Sequence, residues 1–519
     1  MKKFLNKPYL IGFLIALAYF CLNLSVINDY GVTWDFTYHF NAGLWHLNKP
    51  LTDPNFAIYP WGPLGDICPT LSLLIFSDKL PLFFWDAAYN LYSILLGSLG
   101  IGLLYIIIYK NFSWREAIFS AITLALLPRY FGHLHNNMKD VPQAVFFTLS
   151  IALFLKLFRK PNWSNMLLAS LGFAVSYNSK VNAVFILVIA GTFLILQLVL
   201  DNFSIKKRFI FNKYLFFYFI FSPLLAFILW SIFWSNPVAR FQDALYSYTT
   251  STTNMPVLYF GNIYYSGNNI PNLYPLGMLL ATTPILVTVS FIIGSIVLFK
   301  KALKNDIPSQ FILMWFVIPI LRYFKPQMIV IDDIRHFLEV IFPFSAIAGI
   351  GTHFVLSKII SNKHISKKSF FTIIVSTSYF CYLILNIISY HPFQTSYFSE
   401  IIGGIKGASG KFDIDFWAAS YKKAMQYLNK HAKSDTQIVV PMAPDIAKLY
   451  LRTDLQKNIN GNNLTYADKS VYDESDYTVV LNRQSFFSWY NLNDYLKEKT
   501  PIYTVSVDGV PLSSIYENK

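Results

Sequence analysis

The feature that most limits how this chain can fold is a series of long apolar segments that covers most of its length. Only 13% of the 519 residues are charged, whereas a soluble domain carries about 25%. A helix of about 20 apolar residues crosses the ~30 Å hydrocarbon core of a bilayer. The pattern therefore predicts an α-helical polytopic membrane protein with about eleven transmembrane helices. The segments lie near residues 8–27, 85–109, 116–132, 141–158, 164–177, 181–200, 214–234, 276–299, 308–324, 335–357 and 369–390.

The distribution of positive charge predicts how these helices are oriented. The net charge is +14, and the basic residues cluster in every second loop, as expected for loops that stay in the cytoplasm. The N-terminus is therefore predicted inside and the C-terminus outside. The same clustering in short loops argues against nucleic acid as a partner. The basic loop residues are Lys110 and Arg115; Lys156, Arg159 and Lys160; Lys206, Lys207, Arg208 and Lys213; Lys300, Lys301 and Lys304; and Lys358, Lys363, Lys367 and Lys368.

The last part of the chain has a different composition. From His391 onward the sequence becomes polar, with helical spacing of apolar residues over 415–432. Three short runs rich in β-forming residues follow, at 437–440, 477–481 and 501–505. About 125 residues suffice for a small domain with its own core. We therefore predict a transmembrane domain over residues 1–390 and an extracytoplasmic α/β domain over 391–519, joined through a flexible glycine-rich connection at 403–410.

A dense group of polar and ionisable residues lies between two of the apolar segments, over 127–142. Pro142 and Asp140 have a plain structural explanation, because proline and an acidic residue both suit the first turn of a helix. That explanation does not cover His133, Asn137 and Lys139. Ionisable residues at the edge of a membrane segment are costly and usually functional, so the group is predicted to bind a ligand.

Two further charged sites fall on the same predicted membrane face. Asp35 follows Trp34 just after the first helix, and Arg335 and His336 open the tenth helix. The structural alternatives are a helix cap for Asp35 and, for Arg335, a side chain that extends along the membrane surface to reach water. The functional alternatives are a carboxylate that accepts a proton from a nucleophile and a cationic helix start that binds a phosphate. Three charged sites on one face predict an active site at the membrane surface.

Other kinds of chemistry have weaker support. A P-loop, a GxSxG elbow and a GxGxxG motif before a helix do not occur, which argues against soluble nucleotide chemistry. Histidines and carboxylates near the predicted face include ligand types for a divalent metal ion, but the spacing of a known metal motif is missing. No metal ligand is assigned, and a divalent ion stays an open alternative. The residues concerned are Asp35, His133, His135, Asp140 and His336.

Several of these segments together resemble a known family. The sequence is similar to bacterial membrane glycosyltransferases of the protein-O-mannosyltransferase and aminoarabinose (lipid A) transferase type, which have the GT-C fold. The resemblance extends over nearly the whole chain. It rests on Asp35 in the first outer loop, on Pro128-Arg129-x-x-Gly132-His133 with Asn137-x-Lys139-Asp140-x-Pro142, on Ile334-Arg335-His336-Phe337-Leu338, on His391-Pro392-Phe393-Gln394-x-x-Tyr397-Phe398-x-Glu400 and on Gly509-Val510-Pro511-Leu512.

The resemblance implies a reaction and a location. Its members use a polyprenyl-phosphate-linked sugar as donor on the extracytoplasmic side of the plasma (inner) membrane. By position, Asp35 corresponds to the general base and Asp140 to an assisting carboxylate. The acceptor is a hydroxyl of a protein, lipid A or a glycan. Many members carry Asp-Glu in the first loop, whereas Phe36 follows Asp35 here, which weakens the case for a metal ion.

The chemistry of such a transfer assigns further roles. A carboxylate takes the proton of the acceptor hydroxyl, and cations stabilise the departing phosphate. A single displacement would invert the anomeric centre. The tyrosine-rich loop over 235–275 either stacks on a sugar or anchors the protein at the membrane interface. The expected residues are Asp35 and Asp140 for catalysis, Lys139, Arg335 and His336 for the donor phosphate, and Trp34, His133 and Asn137 for the substrate.

Two other functions compete with this hypothesis. A transporter or flippase for polyprenyl-linked lipids or sugars would place charges near the middle of the membrane and show two related halves. Here the ionisable residues lie at segment edges and internal symmetry is missing. A scaffold that presents its C-terminal domain would leave the cluster around Lys139 and Asp140 without a purpose. We therefore predict an inverting glycosyltransferase.

Overall fold

A computed structural model describes residues 7–200, 212–250, 252–325, 327–361, 368–461, 464–466 and 468–518. Helices dominate the chain as far as Ser389, in agreement with its apolar segments. These helices are α1 (Pro8–Ser25), α2 (Phe36–His46), α3 (Leu64–Leu73), α4 (Trp85–Asn111), α5 (Trp114–Ala125), α6 (Pro128–Asn136), α7 (Asp140–Arg159), α8 (Trp163–Ser179), α9 (Val184–Leu200), α10 (Lys213–Ile228), α11 (Pro237–Thr250), α12 (Tyr274–Ala281), α13 (Ile285–Ala302), α14 (Ile307–Leu321), α15 (Ile341–Ser361) and α16 (Lys368–Ser389).

Single turns of tighter or wider helix join several of these elements. Most are 3-10 helices, and several of them directly precede or follow an α-helix. They lie at Ile27–Asp29, Val181–Ala183, Ser231–Trp234, Arg322–Phe324, Arg335–Val340, Gln394–Ser396, Glu400–Ile402, Leu455–Lys457, Gln484–Phe486 and Leu496–Glu498, and a π-helix occupies Leu74–Lys79.

The structure confirms a polytopic helical membrane protein. Among the described residues, eight helices are long and apolar enough to cross a membrane, and up to nine if the bent pair α5 and α6 forms one span. Helices α8 and α10, predicted as two further spans, have 17 and 16 residues. The predicted number of eleven spans is therefore not established.

The third predicted span differs from its prediction. Residues 116–132 were expected to form one helix, but α5 and α6 meet at an angle of 58°. The cause is Pro128, the first residue of α6, because a proline disfavours helical geometry in the residue before it. Leu127 accordingly has φ −72° and ψ 117°, which is extended backbone. The break turns the polar residues of α6 across the end of the bundle.

Two short helices connect the first span to the next. Helix α2 packs on α3, and α3 packs on α4. Asp35 is the residue immediately before α2. These helices therefore hold the first predicted site residue at the same end of the bundle as the start of α7.

The C-terminal part contains a mixed sheet, which confirms the predicted small α/β fold. Its strand order is β4-β3-β5-β7-β6, with β3 parallel to β4 and β5 and with β7 antiparallel to β5 and β6. A separate antiparallel hairpin, β1-β2, lies in the tyrosine-rich loop before α12. The strands are β1 (Pro256–Tyr259), β2 (Asn262–Tyr265), β3 (Ile438–Val439), β4 (Ile459–Asn460), β5 (Tyr477–Leu481), β6 (Tyr503–Val507) and β7 (Val510–Glu517), and the helices are α17 (Gly404–Ala408), α18 (Tyr421–His431), α19 (Pro444–Tyr450), α20 (Ser470–Asp473) and α21 (Leu492–Tyr495).

The sheet part and the helical part pack closely together. Lys422 of α18 donates to the Asp86 carboxylate of α4 at 2.7 Å and to the carbonyl oxygens of Asn28 and Tyr30, each at 2.8 Å. The Tyr450 hydroxyl accepts a hydrogen bond from the backbone N–H of Val32 at 2.7 Å. One hydrophobic core runs through both parts. The boundary between residues 390 and 391 therefore stays a prediction.

Candidate active site

The first predicted site residue, Asp35, is fixed by backbone contacts on two sides. The neighbouring Trp34 donates its backbone N–H to the carbonyl of Trp417 at 3.0 Å. Thr33 donates its hydroxyl to the carbonyl of Asn136, the last residue of α6, at 3.0 Å. The side chain of Asp35 remains 34% exposed. The first outer loop thus places a partly accessible carboxylate between α6 and the C-terminal domain.

Arg335 connects the first and last of the predicted charged sites. Its Nη1 atom contacts Oδ2 of Asp35, and its Nη2 lies 3.1 Å from Oδ2 of Asp332. Its guanidinium stacks over the Trp417 ring, 4.9 Å from the ring centroid. The structure brings Asp35 and Arg335 together, as an ion pair rather than as two separate ligands.

Asp332 has a second cation on its other oxygen. Oδ1 of Asp332 accepts a hydrogen bond from Nη2 of Arg483 at 2.7 Å. Arg483 also donates to the carbonyl of Phe416 at 2.8 Å and lies 4.0 Å from the Phe486 ring centroid. Sequence reasoning missed Arg483, because it lies in the C-terminal domain, far along the chain from the site that it supports.

The second predicted carboxylate, Asp140, opens α7 and is bound from both sides. Its Oδ1 accepts a hydrogen bond from the Lys180 ammonium at 2.6 Å, and its Oδ2 accepts one from the Asn137 amide at 3.0 Å. The Asn137 side-chain oxygen in turn accepts from the Asp140 N–H at 2.8 Å. Asn137 therefore acts as a cap that orients Asp140. Lys180 was missed, although a lysine in a loop outside the basic, cytoplasmic pattern was a signal for it.

Lys139 is the cation of the site that has no carboxylate partner in the described part of the chain. Its ammonium lies over the Trp61 ring, 4.8 Å from the centroid. Burial lowers the pKa of Lys139, an effect that the charge of Asp66 partly opposes. Because it is not neutralised by an ion pair, this ammonium is available to bind an anion.

The Trp61 ring beside this ammonium belongs to a cluster of three aromatic residues. The Trp61 ring lies 4.8 Å from that of Tyr38 and 5.4 Å from that of Tyr59. Sequence reasoning missed this cluster, because the loop over 47–63 carries neither an apolar run nor a charged motif. The dense sequence Tyr59-Pro60-Trp61-Gly62-Pro63 was its signal.

The predicted histidines have different surroundings. His133 packs edge-on against Trp417, with 5.4 Å between the ring centroids, and its Nδ1 lies 3.3 Å from the Asn137 amide nitrogen. The carbonyl of His336 accepts hydrogen bonds from Asn182 and Tyr323, each at 2.8 Å. The Nε2 atoms of both imidazoles are buried and have no hydrogen-bond partner within the described ranges. Both histidines therefore lie at the site. The predicted roles of His133 in substrate binding and of His336 in phosphate binding stay predictions.

Trp34 lies against the C-terminal domain rather than in open space. Its ring centroid is 6.0 Å from that of Phe486 and 5.2 Å from the Arg483 guanidinium. These contacts explain its position by packing alone. The predicted role of Trp34 in substrate binding stays a prediction.

A buried pair that the sequence did not predict lies one helical turn beyond Asp35. The Nδ1 of His39 on α2 lies 2.6 Å from Oδ1 of Asp66 on α3. Their side chains are 6% and 2% exposed. The pair joins the two short helices that carry the first loop.

Two of the carboxyl groups that lie outside the membrane helices, Asp35 and Asp333, differ in acidity. Burial alone would raise the pKa of Asp35, but the charge of Arg335 and, when its ring is protonated, that of His39 outweigh this effect and hold the pKa below its ordinary value. Burial raises the pKa of Asp333 to about 6, although Arg129 lies 2.6 Å away and acts in the opposite direction. Asp35 is therefore ionised at neutral pH.

The arrangement does not fit a divalent metal ion. Asp35 is paired with Arg335, and Asp140 is paired with Lys180. His135, a further conceivable ligand, stacks on Tyr30 with 3.8 Å between ring centroids. No group of three histidine, cysteine or acidic side chains with the geometry of a metal site occurs in the ranges that the structure covers. Positive side chains thus occupy the places around the carboxylates where a metal ion would bind.

Comparison with known families finds a match to part of the chain. Residues 70–227 match the family described as dolichyl-phosphate-mannose-protein mannosyltransferase. This stretch includes α6, the start of α7 and Lys180. Over this stretch the chain is similar to membrane glycosyltransferases, and the solved structures described next share its GT-C fold. No curated protein sequence matches it significantly.

Solved structures show the same fold at low sequence identity. ArnT from Cupriavidus metallidurans, in the apo state, is 10% identical, with 97% of each chain covered and a TM-score of 0.51. The oligosaccharyltransferase AglB from Archaeoglobus fulgidus, in complex with an inhibitory peptide and a dolichol-phosphate, is 13% identical, with a TM-score of 0.53. That likeness covers 100% of this chain and 74% of AglB. These similarities define the fold of the chain, and they do not define its substrates.

Proposed function

We propose that the protein transfers a sugar from a polyprenyl-phosphate-linked donor to an acceptor hydroxyl outside the cytoplasm, with inversion at the anomeric carbon. The observation that carries this proposal is the partly exposed carboxylate of Asp35 beside the unpaired ammonium of Lys139. These are the two groups that a displacement at a sugar phosphate requires, a base for the nucleophile and a cation for the leaving group. The dolichol-phosphate in the AglB complex supports a lipid phosphate as part of the donor.

Asp35 acts as the general base in this scheme. Arg335 binds Oδ2, and Oδ1 makes no hydrogen bond to the residues that the structure describes. An acceptor hydroxyl that donates to Oδ1 would be held with its oxygen free to attack the anomeric carbon. The lowered pKa of Asp35 keeps this oxygen ionised at neutral pH.

Lys139 binds the phosphate that leaves. The leaving oxygen gains negative charge in the transition state, and a cation aimed at it lowers the barrier. Arg335 already shares its charge between Asp35 and Asp332, so its contribution to phosphate binding is secondary. His336 contributes through its unpartnered imidazole, whose Nε2 makes no hydrogen bond to the described residues.

Asp140 assists by positioning other groups. Its carboxylate holds Lys180 at 2.6 Å and Asn137 at 3.0 Å. Lys180 is thereby kept close to the donor site as a second cation. His133 lies behind Asn137 and supports the same turn, and Trp34 closes the site towards the C-terminal domain.

The site lies at one end of the helix bundle, which we propose is the extracytoplasmic end of a protein in the bacterial plasma membrane. Asp35 follows α1, Asp140 begins α7, and Arg335 precedes α15. Lys110, Arg159 and Lys301 lie at the opposite helix ends, as the positive-inside rule requires. Charges gathered at one end of the bundle favour an enzyme over the alternative of a flippase, which needs a site near the middle of the membrane.

The test uses the purified protein in lipid nanodiscs with a set of radiolabelled polyprenyl-phosphate sugars and an envelope extract as acceptor. Asp35→Asn should lower the turnover of the accepted donor by about 10²–10⁴-fold, the usual contribution of a general base, while donor binding remains. Asp78→Asn, an exposed aspartate away from the site, is the matched control. Equal turnover of wild type and Asp35→Asn, or the absence of binding by every donor, would overturn the proposal.

A further inference from the structure

The buried pair of His39 and Asp66 has no part in the scheme above. His39 follows Asp35 by one turn of α2, and its backbone N–H donates to the Asp35 carbonyl at 3.2 Å. Side chains four residues apart on a helix lie on the same face, with about 5–6 Å between their Cβ atoms. The imidazole of His39 is therefore next to the proposed base.

Asp66 fixes the protonation pattern of this imidazole. With 2.6 Å between Nδ1 and Oδ1, the Nδ1–H donates to the carboxylate, and the neutral ring keeps its lone pair on Nε2. Nε2 makes no hydrogen bond to any residue in the described ranges, and it is not among the fully enclosed unpartnered atoms. One ring nitrogen, Nδ1, is therefore hydrogen-bonded to Asp66, and the other, Nε2, is able to accept a proton.

His39 lies on the side of the site where Lys139 is proposed to bind the donor phosphate. Its ring is 5.8 Å from that of Trp61, and Trp61 packs under the Lys139 ammonium at 4.8 Å. The titratable groups in this part of the site are Asp35 just before α2, Tyr38 and His46 on α2, Asp66 on α3, Tyr89 on α4 and Lys139 before α7.

A link between two helices alone does not explain this pair. A buried ion pair contributes little net stability compared with well-packed apolar side chains, so a purely structural tie gains little from an imidazole and a carboxylate. The proposed reaction, by contrast, leaves a proton on a weak base. Asp35, held by Arg335, must lose this proton before the next turnover.

We propose that His39, oriented by Asp66, is the proton acceptor that returns Asp35 to its ionised form in each catalytic cycle. The inference rests on the proposed function. The acceptor oxygen forms its bond to the anomeric carbon, and the bond from that carbon to the phosphate oxygen breaks, with its electron pair passing to the phosphate. The hydroxyl proton passes to Asp35 and then to Nε2 of His39. Asp66 stabilises the resulting imidazolium, which then releases the proton to water. Asp66 is a positioning residue in this scheme.

The experiment measures kcat as a function of pH at saturating donor, in nanodiscs, for wild type, His39→Gln and Asp66→Asn. Wild type should lose activity on the acid side, because a ring that already carries a proton cannot accept the one from Asp35. His39→Gln should lower kcat by about 10²-fold, with the donor KM changed less than about threefold, and should remove this acid limb. Added imidazole should restore part of the rate. Asp66→Asn should lower kcat and shift the limb, because the ring loses its fixed orientation.

His431→Gln, an exposed histidine at the end of α18 in the C-terminal part, is the control and should behave as wild type. A wild-type profile with no loss of activity on the acid side overturns the inference, even if the variants fail to fold. Wild-type kcat in His39→Gln also overturns it. In either case, the proposed function still holds if Asp35→Asn is inactive. If Asp35→Asn is active, both the proposed function and this inference are wrong.

Discussion

Arg483 and Asp332 form a buried ion pair, with 2.7 Å between Nη2 and Oδ1 and with side chains that are 6% and 4% exposed. Asp332 also binds Arg335, which binds Asp35. Four side chains of alternating charge thus connect the first outer loop to the C-terminal domain. Within this series of four side chains, the pair between Arg483 and Asp332 is the more deeply buried one.

Removing the cation of this pair should be costly. Arg483→Met leaves Asp332 buried with one partner instead of two, and breaking a buried pair costs about 3–5 kcal/mol. We expect a loss of that size in the free energy of unfolding, measured in detergent micelles. The double variant Arg483→Met with Asp332→Asn should recover part of it. Lys497→Met, which breaks an exposed pair with Asp494, should cost less than about 1 kcal/mol. Similar losses in Arg483→Met and Lys497→Met would contradict this account.

Lys139 should determine the affinity for the donor phosphate. A hydrogen bond to a charged group is worth about 1.5–3 kcal/mol, so Lys139→Met should weaken donor binding by about 10–100-fold. Lys139→Arg keeps the charge and should retain most of the affinity. Lys160→Met, at the opposite end of the bundle, serves as the control. Binding is measured with a labelled polyprenyl-phosphate sugar, and an unchanged affinity in Lys139→Met would show that the phosphate lies elsewhere.

On the alkaline side, the activity should fall at a pH below the one at which an ordinary lysine titrates. Burial lowers the pKa of Lys139 from 10.5, so its charge is present at low pH and is lost as the pH rises through the lowered value. Lys139→Arg should move this limb to higher pH, because an arginine stays protonated. The measurement is kcat/KM against pH between 7 and 10.5. An alkaline limb at the same pH in wild type and Lys139→Arg would assign it to another group.

Gly132 allows α6 to approach the segment that follows α16. A Cβ atom at this position would lie 2.6 Å from the backbone nitrogen of Thr395 and 3.0 Å from the carbonyl carbon of Gln394. Because backbone atoms cannot move aside locally, Gly132→Ala should displace α6 and cost about 1–3 kcal/mol. Gly191→Ala in α9, with no neighbour closer than 3.9 Å, should be neutral or slightly stabilising. Thermal unfolding in nanodiscs distinguishes the two variants.

The sequence predicted the parts of this protein that depend on local signals. The length of the apolar runs gave the helical membrane architecture, and charged residues at their edges located Asp35, Lys139, Asp140 and Arg335. Even the break before α6 had its signal in Pro128. In each case the information lies within one segment of the chain.

The partners of those residues were not predictable in the same way. Lys180 lies 40 residues from Asp140, and Arg483 lies 151 residues from Asp332. His39 and Asp66 lie on two different helices with a loop between them. Which cation meets which carboxylate depends on how the helices pack, and a single sequence contains no direct signal of that packing. The pairing of Arg335 with Asp35 was therefore found only in the folded chain.

The alternating series Asp35, Arg335, Asp332 and Arg483 has a consequence for exchanging parts between related enzymes. Its charges sum to zero only when both portions of the polypeptide are present. A hybrid that joins the helical portion of this protein to a foreign C-terminal portion would need a cation at the place of Arg483. Without one, the hybrid would carry an uncompensated negative charge next to the residue that starts the reaction. We therefore expect recombination between such enzymes to succeed when a cation at this position is inherited together with its acidic partner.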